Sequence, residues 1–138
     1  MKNEIETRAK YYEVVCQLIF EYNFISVIKI IFISLSLINL ENFYEGTSKK
    51  YGLTAYMLSG VKLGLDRKHL EIIYILDCLK LLEKGMMIET EGNIIRSKKS
   101  PNYEGNNALL KSPQIQRALA EIQKISDEDL IKEVVEYV

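Results

Sequence analysis

The sequence contains no tryptophan, one histidine, two cysteines and two prolines in 138 residues. With His69 as the only histidine, a two-histidine zinc site or an H-E-x-x-H metalloprotease motif cannot be assembled. No G-x-S-x-G elbow accompanies that histidine, so serine–histidine catalysis has no framework. The stretch "SGVKLG" lacks the GK[ST] of a P-loop and the Rossmann glycine spacing. Carboxylates cluster only in the C-terminal "SDEDLIKEVVE", where consecutive acids at a helix start complement the helix dipole more simply than they form a metal site. The expectation is a protein that is not an enzyme and holds no cofactor or metal.

Other shortages narrow the class further. The two cysteines, Cys16 and Cys78, lack C-x-x-C spacing and each falls inside an apolar helical pattern, which predicts buried free thiols and a reducing cytoplasm. Few prolines and seven glycines argue against long structureless linkers. The net charge of −1 leaves no global basic excess to attract nucleic acid or acidic lipid. The opening "MKNEIETRAKYYE" puts charges where a secretory signal needs its apolar core, so no signal peptide is expected. The length suits one domain, and 48% hydrophobic with 27% charged residues is an ordinary globular balance.

What is present in quantity is isoleucine and leucine, most densely in "FISVIKIIFISLSLINL", Phe24 to Leu40. As a helix this run reaches about 25 Å, short of the ~30 Å hydrocarbon core of a bilayer. Lys29 would sit deep, where a cation costs ~2.5–3.5 kcal/mol, and Glu21, Asn23 and Glu41 bracket the run. Ser26, Lys29, Ser36 and Asn39 fall on one side of the wheel, interrupted by Ile33. The expectation is a nearly buried core helix whose lysine snorkels to the surface. Its narrow polar edge is the route to solvent or to a partner chain.

Upstream, Ile5, Ala9, Tyr12, Cys16 and Ile19 recur at helical spacing, predicting an amphipathic helix over 4–20 that the joint Glu21–Asn23 turns back. Asn39 to Gly52 reads as a loop and Leu53 to Gly60 as a short helix. Asp66 as N-cap and Gly85 as terminator frame a long helix, with Leu70, Ile73, Leu76, Leu79 and Leu82 as a core stripe widened by Ile72 and Ile75. After Gly85 the pattern changes to apolar–turn–apolar about Thr90–Gly92, a two-stranded hairpin. A polar stretch comes next, then a helix opened by Ser112 and Pro113. Ser126 caps the last helix, with Asp129 near the capping-box position. The fold class is therefore mainly α: one compact helical domain over 1–138, with an N-terminal helical hairpin (1–40), a winged-helix-like unit carrying one short β-hairpin (53–97) and a C-terminal helical pair (112–138).

Short helix, glycine-bounded turn, long helix and hairpin occur in an order that resembles a winged helix-turn-helix over Leu53 to Arg96. A DNA reader of that kind would use Lys62, Arg67, Lys68 and His69 at the start of its third helix, with Lys98 and Lys99 beyond the wing. Against this, Glu71 and "IIYIL" cut the polar face short, and Glu89 and Glu91 carry the wrong sign for phosphate. Winged helices also serve as protein-docking modules.

The whole layout resembles the small middle-component subunits of bacterial three-component, SMC-like ATPase defence systems, the Lamassu group among them. "ETRAKYYEVVCQLIFEYNF" looks like that family's opening helix and "ISVIKIIFISLSLIN" like its second, though without the proline of the family's run. "LEIIYILDCLKLLEKGMMIETEGNII" is similar to its helix-to-hairpin segment, and "QIQRALAEIQKISDEDLIKEVVEYV" to its closing helices. The resemblance implies a non-catalytic adaptor that binds an SMC-like ATPase and connects it to an effector, commonly a nuclease, in an anti-phage or anti-plasmid complex. DNA would then be sensed indirectly, through the ATPase. Candidate partner contacts are Tyr11, Tyr12, Phe43, Tyr44, Tyr51, Tyr56 and Tyr103, tyrosine being a common interface anchor, with Lys29 on the polar edge of the second helix. Two alternatives stand beside it: a winged-helix DNA-binding transcriptional regulator and a membrane-associated helical subunit.

Overall fold

The computed structural model describes residues 4–40, 70–98 and 110–137. In chain order these form α1 (Glu4–Cys16), a π-helical turn (Gln17–Glu21), α2 (Val27–Leu40), α3 (Leu70–Lys84), β1 (Ile88–Glu91), β2 (Ile94–Ser97), α4 (Pro113–Lys124) and α5 (Asp127–Tyr137). The fold is mainly α with one short antiparallel hairpin, as the periodicity predicts. The expected helix at Leu53–Gly60 and the Asp66 cap lie outside the described residues.

The first helix does not run unbroken to Phe20. After Cys16 the backbone widens into a π turn, the Tyr22 amide donating to Gln17 O at 3.0 Å. The added residue per turn shifts the direction in which later side chains point, and Gln17, Leu18 and Ile19 are all buried. Gln17 meets its own polar need by donating to Glu21 Oε2 at 3.1 Å. Asn23 then takes φ 58, a left-handed conformation that asparagine tolerates better than most residues, and the chain turns into α2.

Helix α2 is the centre of the core. Ile30, Ile33, Leu35, Leu37 and Ile38 are buried, together worth roughly 10 kcal/mol of gross apolar burial before chain entropy is counted. No helix among the described residues is long and apolar enough to cross a membrane. The polar edge of α2 is not the solvent route expected from the wheel. Ser26, Ser36 and Asn39 are buried, and Asn39 donates back to Leu35 O of its own helix at 2.7 Å.

The first three amides of α2 are capped by two residues, Asn93 and Ser26. The amide of Val27 donates to Asn93 O (2.9 Å), that of Ile28 to Asn93 Oδ1 (2.9 Å) and that of Lys29 to Ser26 Oγ (3.2 Å). These are orphan donors of a helix N-terminus, satisfied here largely by the turn of a distant hairpin. Ser26 Oγ in turn donates to Asp127 Oδ2 at 2.9 Å, and Asn93 Nδ2 donates to the same carboxylate.

Helix α3 ends in a Schellman arrangement: Met87 N donates to Leu82 O and Met86 N to Glu83 O, both at 3.0 Å. The residue in the left-handed position is Met86 (φ 59), one place after the glycine expected to terminate the helix. An L side chain there is strained by ~1–2 kcal/mol, and Met86 is largely exposed, so its side chain adds little packing. Met86→Gly is expected to raise stability by about 0.5–1 kcal/mol; a urea midpoint that stays put or falls would contradict this.

The hairpin pairs Glu89 with Arg96 and Glu91 with Ile94, so its turn is Gly92–Asn93, later than the Thr90–Gly92 read from the sequence. Gly92 has φ +60 at the first central position of this two-residue loop, where glycine is free of the Cβ penalty. On its far side β2 meets the segment before α2, through a Ser26–Ile94 bridge and an Ile95 N to Ile25 O bond of 2.8 Å. The other edge is guarded: the outward amide of Thr90 donates to Glu83 Oε2 on α3 at 3.2 Å.

The C-terminal pair closes over the joint between α1 and α2. Gln123 Nε2 donates to Tyr22 O, and Gln116 Nε2 to the Tyr22 hydroxyl, each at 2.9 Å. Ser126 caps α5 as its position predicts, accepting from Asp129 N at 3.1 Å. Ser112 makes no side-chain cap; only Pro113 at the first turn marks the start of α4.

Candidate functional site

Helix α3 decides which surface the molecule offers. The expected core stripe Leu70, Ile73, Leu76, Leu79 and Leu82 is only half right. Leu79 and Leu82 are buried, but Leu70, Ile73 and Leu76 are 53%, 50% and 39% exposed. A strict three-residue spacing drifts about 60° backward around the helix per step, so five such residues cannot share one straight face. The face that packs is Glu71, Ile75, Cys78, Leu79 and Leu82. This leaves an apolar row along the outer side of the first two turns, where a DNA-reading helix would carry polar and cationic side chains. The row runs into a cleft between α3, the start of α2 and the hairpin, floored by Val27, Leu76 and Leu79.

The hairpin beside this row is acidic on its exposed face. Glu89 and Glu91 both point to solvent, and Arg96 is paired back to Glu91 at 3.6 Å. Lys98 is exposed, its backbone amide fixed to Met87 O at 2.9 Å. Lys62, Arg67, Lys68, His69 and Lys99 lie outside the described residues, as do Phe43, Tyr44, Tyr51, Tyr56 and Tyr103.

Of the tyrosines expected at an interface, Tyr11 is corrected by its burial. It is fully enclosed, and its hydroxyl donates to the buried Glu71. Tyr12 is 40% exposed, its phenol pushed above the ordinary range by burial and by the neighbouring Cys16. Lys29 is corrected too. Its ammonium donates to Ile125 O (2.6 Å) and Gln123 O (3.3 Å) and lies 3.9 Å from Asp127, so it holds the end of α4 instead of snorkelling to solvent or a partner.

Beside Leu70, one and two turns further along α3, Arg8 stacks over the Tyr74 ring at 4.3 Å and donates to Asp77 at 2.9 Å. That hydrogen bond holds the guanidinium pKa above its usual value. Cys16 and Cys78 are free and buried as expected, and burial pushes both thiols up to about 11, so they stay protonated at neutral pH. Among the described residues no three metal-ligating side chains converge.

The residues that sequence reasoning missed are those of the exposed row. Their signal was present: apolar side chains from 70 to 82 cover too much of the helix circumference for one core face. No family model matches the chain, and neither a curated protein nor a solved structure shows significant similarity to it.

Proposed function

We propose that this protein is a non-catalytic adaptor that works by docking other proteins: the middle subunit of a bacterial anti-phage or anti-plasmid complex in the cytoplasm, linking an SMC-like ATPase to an effector such as a nuclease. The observation that supports docking is the outward row Leu70, Ile73 and Leu76, continuous with the cleft at Val27 and Leu79. An exposed apolar strip of this kind is a liability unless another protein covers it. The ATPase and the effector rest on the sequence resemblance. DNA-binding regulation is the weaker reading, because the same helix face is apolar and the hairpin beside it bears Glu89 and Glu91.

The test is co-expression of the tagged chain with the products of its neighbouring genes. A coiled-coil ATPase and an effector should co-purify in fixed ratio. Ile73→Asp with Leu76→Asp should weaken that association roughly a hundredfold while the far-ultraviolet circular dichroism is unchanged. A free monomer beside those gene products would overturn the adaptor reading. So would tight duplex binding whose affinity falls steeply with salt.

A further inference from the structure

The proposed docking face has two parts, apolar toward the start of α3 and cationic toward its end. Lys80 and Lys84 follow Leu76 at i+4 and i+8, on the same side of the helix. Both are exposed, and neither is paired among the described residues. Of the carboxylates nearest to them on α3, Asp77 is paired with Arg8 at 2.9 Å, while Glu83 accepts from the Thr90 amide and keeps its charge at the edge of the cleft it shares with Lys80. Leu76 and Lys80 border the cleft between α3, the start of α2 and the hairpin, about 210 Å³ in volume, which Val27, Leu79 and Glu83 also line. The face thus offers apolar contact followed by two ammonium groups that make no ion pair among the described residues, with Glu83 the one carboxylate beside them.

We propose that its occupant is an acidic amphipathic α-helix of the partner protein. Its apolar side would lie along Leu70, Ile73 and Leu76, and its carboxylates would meet Lys80 and Lys84. This inference rests on the docking reading above and names the partner's chemistry. The span from Leu70 to Lys84 is about 21 Å, matched by a helix of about 14 residues. Charge complementarity of this kind fixes register and direction more than it adds affinity. Nucleic acid fits worse, since a phosphate backbone on the two lysines would also lie over the apolar row, which an amphipathic helix covers with its own apolar side.

Fluorescence anisotropy tests it with two labelled helical peptides of about 14 residues, both with leucines at i, i+3 and i+7. One carries glutamates beside the leucines and the other lysines. The wild-type chain should bind the acidic peptide about tenfold tighter than the basic one. Lys80→Glu with Lys84→Glu should reverse that preference, and Lys132→Glu on α5 should leave it unchanged. Equal binding of both peptides, or none of the acidic one, overturns the inference. If the partner still co-purifies undiminished with the Lys80→Glu/Lys84→Glu chain, the acidic helix falls while the adaptor reading stands. Duplex DNA binding lost in that double variant would overturn both. Because α5 is itself acidic with Ile131 and Val135 exposed, sedimentation runs beside the titration. Self-association abolished by the same variant would make the occupant a second copy and overturn a foreign helix.

Discussion

Lys29→Leu is expected to destabilise the protein by about 2–3 kcal/mol, a fall in melting temperature of roughly 8–12 °C for a chain of this size. From the sequence, leucine looks harmless there, since it extends an apolar helix and removes its one charge. In the structure the ammonium donates to Ile125 O and Gln123 O, carbonyls at the end of α4 with no helical partner of their own. A cation at a helix C-terminus also complements the helix dipole. Leucine supplies neither the donors nor the charge, and Asp127 loses the cation 3.9 Å away. The α4–α5 corner should loosen from α2, so Lys29→Leu should also speed exchange of the Ile125 and Leu130 amides, which close the last turn of α4 and the first of α5. A melting temperature within about 1 °C of wild type would mean that this lysine is a surface residue after all.

The second large effect is expected at Tyr11. Tyr11→Phe keeps the ring and removes only the hydroxyl that donates to Glu71, in a site where both side chains are buried. A buried carboxyl that loses a donor costs about 1.5–3 kcal/mol, more than the net value of an ordinary hydrogen bond. In a double-mutant cycle with Glu71→Gln, the two changes should be non-additive by about 1–2 kcal/mol. Tyr12→Phe, one residue along and 40% exposed, should move stability by no more than about 0.5 kcal/mol. Equal effects of the two tyrosine substitutions in urea titrations, or strict additivity with Glu71→Gln, would refute the buried pair. The contrast matters for function, because both tyrosines read as interface anchors in the sequence and only Tyr12 reaches the surface.

Both cases show where local pattern stops being informative. The run Phe24 to Leu40 announces a core helix, because seventeen residues with one lysine can neither span a bilayer nor remain exposed. The cap at Ser126 and the change of period after Gly85 are likewise local, governed by residues a few positions apart. The partners of Lys29 lie 94 and 96 residues away, and that of Tyr11 lies 60 away. No spacing rule reports such distances. The same limit explains the reversed role of the polar edge of α2. A helical wheel identifies which residues share a side, but not whether that side meets water or another helix.

Sequence alone determined the helical class, the central helix, the hairpin, the cap of α5 and the free thiols, because each is set by neighbouring residues or composition. Tertiary structure alone decided how α3 is turned on the core. Its apolar residues surround too much of the helix for periodicity to choose a face, and packing against α1 and α2 settled that Ile75, Cys78 and Leu79 go in while Leu70, Ile73 and Leu76 stay out. The outward row, on which the adaptor reading depends, is therefore a product of the fold rather than of any motif.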